Sequence, residues 1–204
     1  MPQVAFNELV EGVRSGDRLI SFPTDTVPAL AARPDRAELI FAAKQRSLDK
    51  PLILMAGAVE DLWEYVQGTA TEREAWNQLA QRYWPGALTL VLPASDRIPT
   101  SLNPTNPTTI GVRVPDQAIA CMILRQTGPL ATTSVNRSGE PALLTMGEIN
   151  QQFPEVLTLD LNSLEGPQVT TAAAASGVPS TVVRWTGQGW EVLRQGAIVL
   201  EESA

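Results

Sequence analysis

Apolar residues come along this chain in short runs of two alternating kinds. Phe6, Leu9, Val10 and Val13 recur at helical spacing, and Gly16 stops that helix. Arg18–Phe22 then reads as a strand and runs into Pro23-Thr24-Asp25-Thr26-Val27-Pro28, which cannot continue as regular structure. A short helix is expected over Asp35–Ala43 with Asp35 as N-cap, followed by a strand ending in Leu52–Met55. Glu60–Val66 reads as a short helix. Thr71-Glu72-Arg73-Glu74 reads as a capping box opening a helix with Ala75, Leu79 and Tyr83 on one face, ended by Trp84-Pro85-Gly86. Trp76 and Trp84 are expected to pack in the core.

The second half repeats the theme. Ala87–Leu92 and Thr109–Val114 are strands, separated by a Pro-rich loop over Pro93–Thr108 that is expected to be a lid or a mobile surface segment. Asp116 is expected to cap a helix through Arg125. Strand Leu130–Thr133 runs into the hydroxyl- and amide-rich Ser134–Pro141. Thr145 with Glu148 forms a further capping box for a helix to about Phe153. Leu157–Leu161 is a strand, and Gly166–Pro179, with its alanines at 172–175, is loop-like. Ser180–Trp185 and Trp190–Arg194 around Gly187-Gln188-Gly189 form a hairpin. Helices and strands interspersed from end to end imply an α/β fold, a single domain over residues 1–204 with a twisted mixed sheet and flanking helices.

Composition narrows the chemistry. The 204 residues carry 15 Lys+Arg against 22 Asp+Glu, a net charge of −7, with one cysteine and no histidine. The missing histidine removes Ser-His and Cys-His nucleophiles, and with a single Cys121 it makes a zinc site improbable. One cysteine also fits a reducing compartment. There is neither a signal-peptide pattern nor an apolar run of membrane-spanning length, so a cytoplasmic protein without membrane contact is expected. Against this acidic background the two lysines, Lys44 and Lys50, flank Arg46 within seven residues, at a helix-to-strand joint. Point charges and a planar fork together suit a polyphosphate; a helix C-terminus also attracts cations without any ligand. Thr24, Asp25 and Thr26, and later Ser134 and Asn136, follow strand ends, where open α/β sheets place ligands. Arg113, on an otherwise apolar strand, requires a partner or a ligand.

In this order the motifs Pro23-Thr24-Asp25-Thr26-Val27, Lys44-x-Arg46 with Lys50-Pro51-Leu52, Trp84-Pro85-Gly86, Gly111-Val112-Arg113-Val114-Pro115, Ser134-x-Asn136-x-Ser138-Gly139, Ser180-Thr181-Val182-Val183 and Leu193-Arg194-x-Gly196-Ala197 resemble the YrdC-like family of L-threonylcarbamoyladenylate synthases. The resemblance runs from about Val4 to Ala197 and leaves no room for the extra C-terminal domain of some members. It implies a concave, electropositive sheet face on which ATP, L-threonine and bicarbonate give threonylcarbamoyl-AMP and pyrophosphate, with Mg2+ sharing the triphosphate. Partner proteins of tRNA modification, and tRNA contact itself, are implied as well. By the same resemblance Lys44, Arg46 and Lys50 hold phosphates and serve as the catalytic cations. Thr109, Ser134, Asn136 and Arg194 help bind the nucleotide, while Thr24, Thr26, Arg113 and Ser180 bind threonine, with Arg113 on its carboxylate. No carboxylate cage for a metal is legible, although Asp25 is a candidate supporting group. The chain departs from the family pattern at Pro28-Ala29, where Tyr/Phe-Gly is usual, and at Gln45, Ser47, Val135 and Arg184. Two other readings remain: an enzyme adenylating a different carbamate, and a tRNA- or double-stranded-RNA-binding module without chemistry.

Overall fold

The computed structural model describes residues 3–164 and 175–200. In chain order these form α1 (Phe6–Arg14), β1 (Ile20–Phe22), β2 (Ala29–Ala32), α2 (Glu38–Lys44), β3 (Ile53–Met55), α3 (Ala70–Tyr83), β4 (Leu88–Pro93), β5 (Thr109–Arg113), α4 (Ala118–Thr127), β6 (Leu130–Ser134), α5 (Met146–Gln152), β7 (Leu157–Thr158), β8 (Thr181–Trp185) and β9 (Trp190–Arg194). Short 3-10 turns lie at Pro34–Arg36, Glu60–Tyr65, Thr100–Leu102 and Leu161–Ser163. The strands make one sheet in the order β7-β1-β2-β6-β3-β5-β4-β8-β9. It is mixed: β1/β7, β3/β5 and β4/β8 are parallel pairs, and the others are antiparallel.

Strand alternation sends the two residue sets of each strand to opposite faces. Leu54, Leu90, Val112, Ala131 and Val183 point to one face and bury against α2, α3 and α5, with Ile40, Phe41, Trp76, Ala80 and Phe153. Among the described residues the other face is covered only at the β1–β2 end, where Ile20, Phe22, Ala29, Ala31 and Met55 pack against Leu9 and Val13 of α1 and Ile119, Ile123 and Leu124 of α4. Beyond that cover the face stays open among the described residues, and its polar side chains line a cavity together with apolar ones such as Ile53, Val91 and Val182. This asymmetry of helix cover positions the site.

Three helix starts differ from the sequence expectation. Asp35 does not cap α2; it sits in a 3-10 turn with its carboxylate on Arg33 at 2.6 Å, and Ala37 is the N-cap. The capping box of α3 is Thr69 with Glu72, not Thr71 with Glu74. Both pairs have the required spacing. Glu72 also accepts from Trp185 Nε1 at 3.0 Å, a contact between distant segments that local spacing does not contain. Gln117, not Asp116, caps α4, accepting from the Ala120 N–H at 2.9 Å. Strand β2 is an addition: four buried residues, Ala-Leu-Ala-Ala, lacking the β-branched signal. The Pro93–Thr108 loop is anchored at its middle, where Leu102 is buried and its carbonyl accepts from Leu52 N–H at 2.8 Å. Of the small-residue stretch Gly166–Pro179, residues up to 174 lie outside the described ones.

Thr69→Ala should destabilise the protein by about 1 kcal/mol, the usual loss for a missing N-cap. Thr71→Ala, at an exposed position, should stay within about 0.5 kcal/mol. Urea unfolding of both variants checks the cap assignment; equal losses would overturn it.

Candidate active site

The open face forms a cavity of about 720 Å³, walled by residues from β2 to β9 and by three loops. Its floor is the alternate set of each strand: Ile53 and Met55, Thr132 and Ser134, Thr109, Gly111 and Arg113, Thr89 and Val91, then Val182 and Arg184. Of the residues expected at the site, Thr24, Thr26, Arg46, Thr109, Arg113, Ser134, Asn136, Ser180 and Arg194 all line this cavity. Lys44 and Lys50 do not. Lys50 is exposed beside the rim, next to cavity-lining Asp49.

Lys44 ends α2 and is 1% exposed, among the largest fully buried side chains. Its ammonium donates to the Ser134 carbonyl and, at 2.9 Å, to Asn136 Oδ1. The Ser134 hydroxyl donates to the same amide oxygen at 2.7 Å. Asn136 Nδ2 donates to the carbonyls of Arg137 and Glu140 at 2.9 and 2.8 Å. The amide is thus saturated, with two bonds accepted and two donated. Lys44 therefore braces the Ser134–Glu140 loop from beneath, where the sequence suggested a direct phosphate contact. Burial first, then repulsion from Arg46 and Lys50, pulls its pKa down to about 7. Arg46 shapes the other rim, donating from Nε to the Lys50 carbonyl at 2.9 Å and from a terminal nitrogen to the Pro51 carbonyl at 3.1 Å.

Arg113 has both a partner and an open side. It is 4% exposed. It donates to Asp25 Oδ1 at 2.6 Å, to Thr26 Oγ1 at 2.9 Å and to the Gly86 carbonyl at 3.0 Å. Thr24 Oγ1 donates to the Val27 carbonyl at 2.7 Å, so in its 3.1 Å contact with Thr26 the Thr26 hydroxyl is the donor. The hydroxyl protons are thereby committed, and Thr26 Oγ1 accepts from Arg113. Three of the five guanidinium N–H groups are accounted for in these bonds. The Ser176 and Gly177 N–H groups donate to the Asp25 and Thr26 carbonyls at 3.0 and 2.9 Å, closing the loop from above. Gly86 is demanded by space, because a Cβ would stand 2.4 Å from the Tyr83 carbonyl oxygen.

Ser180 bridges two strands: its hydroxyl meets Thr89 Oγ1 at 2.9 Å, and Arg194 donates to its carbonyl at 2.8 Å. Gly196 lets this corner close, since a Cβ there would be 2.2 Å from the Pro179 carbonyl oxygen. Asn103 donates to the carbonyl and hydroxyl of Thr109 at 3.1 and 3.3 Å. Asn103, Thr105 and Asn106, from the anchored loop, also line the cavity, as do Asp49, Glu140 and Arg184. The polar Asn and Thr content of the Pro93–Thr108 loop was the available signal for the first three. Among the described residues no lining residue is aromatic, in keeping with Pro28-Ala29 in place of Tyr/Phe-Gly.

The electrostatics favour an anion. Burial lowers the pKa of Arg46, Arg113 and Arg194. Asp49 opposes that shift at Arg46, and Asp25 opposes it at Arg113. Asp25 and Glu191 pair Arg113 and Arg184, whereas Arg46 and Arg194 donate to carbonyl and hydroxyl oxygens, so an anionic ligand would supply these two with counter-charge. Among the described residues no group of three or more His, Cys, Asp or Glu could hold a metal ion. No helix among them is long and apolar enough to cross a membrane.

Two measurements test this network. Asp25→Ala should cost about 3–5 kcal/mol in urea unfolding, because it strands a buried guanidinium; a loss under about 1 kcal/mol would mean the pair is screened like a surface one. Lys44 supplies a pH test. Its folded pKa of about 7 lies below the ordinary lysine value of 10.5. Between these values the unfolded chain binds more protons, so stability rises with pH through that window from this group. Below about 7 both states are protonated and the cost of burying the charge is fully present. Parent stability relative to Lys44→Met should therefore improve from pH 7 to pH 10, and a flat difference would refute the shift.

Residues 13–196 match the family model described as Sua5_yciO_yrdC, telomere recombination. Threonylcarbamoyl-AMP synthases of Pyrococcus abyssi (strain GE5 / Orsay) and Bacillus subtilis (strain 168) are each 33% identical to the chain, over 93% and 91% of its length. The chain spans about half the length of these curated relatives, 53% and 52%. A crystal structure of P. abyssi Sua5 complexed with L-threonine superposes with a TM-score of 0.78 at 30% identity, over 96% of this chain and 56% of that one. With the fold, the cavity and the family match in agreement, the chain belongs to the Sua5/YciO/YrdC family.

Proposed function

We propose that the protein is a threonylcarbamoyl-AMP synthase, joining L-threonine, bicarbonate and ATP with release of pyrophosphate. The observation that carries this reading is the shared floor. Thr109 and Arg113 lie on one face of β5 with Gly111 between them, so a nucleotide at the Thr109 end and an amino acid at the Arg113 end meet over a residue without a side chain.

The chemistry needs charge alignment more than a base. The threonine amine and bicarbonate give a carbamate and water. A carbamate oxygen then attacks the α-phosphorus of ATP, and the bond to the β-phosphate oxygen breaks as pyrophosphate leaves. Two anions must approach each other, so preorganised cations supply the main stabilisation. Arg46 and Lys50 hold the phosphates, with Lys44 beneath them fixing the loop whose Ser134 and Asn136 meet the nucleotide beside Thr109 and Arg194. Arg113 offers its remaining N–H groups to the amino-acid carboxylate, and Thr24, Thr26 and Ser180 complete that end. Magnesium bound with the triphosphate would neutralise part of its charge, held by the phosphates and not by a carboxylate cluster of the described residues. One domain over residues 1–204 carries the reaction in the cytoplasm, and its product passes to proteins of tRNA threonylcarbamoyladenosine modification. Arg46 and Lys50 at the rim are the cations available to tRNA.

A second reading, adenylation of a different carbamate, is favoured by Pro28-Ala29 and the lack of an aromatic wall. One experiment separates the two. The purified protein with magnesium, ATP, L-threonine and bicarbonate should release pyrophosphate, and omission of either threonine or bicarbonate should stop it. Replacing threonine by serine should cost no more than about 1–3 kcal/mol in kcat/KM, the worth of one methyl group. Release that needs bicarbonate but prefers another amine would establish the second reading. Release that ignores both omissions indicates nucleotide hydrolysis alone. No release, with RNA binding that falls steeply with salt, would mark a binding module.

A further inference from the structure

Arg184 lies on the cavity-facing side of β8, in the alternate set that also carries Ser180 and Val182. Strand register places it in a row across the sheet: Arg184 is paired with Val91, and Val91 with Gly111. Two strand spacings separate Arg184 from Gly111, about 10 Å between backbones. An extended arginine side chain crosses most of that distance over Val91. Gly111 leaves the floor open at the far end. Packing does not demand a glycine there, because a Cβ would make only ordinary contacts at 3.4 Å with Ile53 and Thr89.

In the structure Arg184 is held by Glu191, its direct neighbour on β9. The side chains are 48% and 47% exposed. An ion pair this exposed is worth little and exchanges readily for a better anion. It differs in this from the buried Arg113–Asp25 pair, at 5% and 11%. Arg184 thus combines a cavity-lining position, a weakly bound partner and an open floor within reach.

We propose that Arg184 is a further phosphate-binding residue of the cavity, exchanging Glu191 for an oxygen of the nucleotide's polyphosphate above Gly111. This rests on the nucleotide reading given above. Glu191 is then a competitor for the same guanidinium, and the two residues have opposite effects on binding.

Calorimetric titration of the full chain with magnesium-ATP tests this. Arg184→Gln should raise the ATP Kd about tenfold, as for a lost hydrogen bond to a charged group. It should also flatten the dependence of Kd on salt, and Tm should stay at the parent value. Glu191→Gln should lower the Kd by about twofold to fivefold, the worth of releasing a surface pair. The double variant should behave like Arg184→Gln. Binding of ATP by Arg184→Gln as tight as the parent's overturns the proposal. So does a Glu191→Gln variant that weakens ATP as much as Arg184→Gln, which would make the pair a brace of the hairpin. A parent that binds no ATP overturns the nucleotide reading, and this proposal with it.

Discussion

A guanidinium buried in the middle of a sheet must be neutralised, and much of this site follows from how that is done for Arg113. Its carboxylate partner, Asp25, comes from the loop after β1, its hydroxyl acceptor Thr26 from the same loop, and its carbonyl acceptor from Gly86 at the turn before β4. The loop and the turn are distant from each other in sequence. A buried ion pair gains little net stability over an apolar replacement, but breaking it is costly. The arrangement thus ties the loop and the turn to one charge. It also aims the guanidinium at the cavity.

A second buried cation does the corresponding work at the other end. Lys44 has no carboxylate among its bonded partners; it is held by a carbonyl and an amide oxygen. Its depressed pKa reflects its burial first, then the nearness of Arg46 and Lys50. Cations held without full compensation lose affinity for their protons and gain affinity for anions. An anionic ligand would supply the missing charge, and the amide of Asn136, saturated by four hydrogen bonds, holds the Ser134–Glu140 loop in place. The helix cover is part of the same design. Because α1 and α4 stop at the β1–β2 end, the mixed polar and apolar alternate set of the central strands is left to line a cavity rather than pack a core.

How far the site could be read in advance depended on what kind of signal each residue carried. Arg113 was visible as an anomaly, a charge in an apolar strand, and its need for a partner follows from solvation alone. Thr24, Thr26, Ser134 and Asn136 were visible as short polar side chains at strand ends. Lys44 was visible as a charge, but its burial against Ser134 and Asn136 was not, because composition does not distinguish a lysine reaching into solvent from one folded beneath a loop. Asn103, Asn106 and Arg184 were not assigned to the site, since their proximity to it is created by the anchoring of Leu102 and by the register of β8 on β4. The capping boxes show the same division: Thr145 with Glu148 had no nearby competitor, while Thr69 and Thr71 offered equal local chemistry.

The amino-acid sequence alone determined the α/β class, nearly all of the elements, the late hairpin and the lack of histidine chemistry. These rest on local periodicity, turn residues and side-chain inventory, all of which act over a few positions. It did not determine that Ala29–Ala32 is a central strand, that Asp25 is the counter-charge of Arg113, or that Lys44 is sealed under Asn136. Those depend on contacts between segments tens of residues apart, with strand order β7-β1-β2-β6-β3-β5-β4-β8-β9 deciding which polar groups share a face. Burial and charge compensation are properties of that shared environment, so only the tertiary structure could decide them.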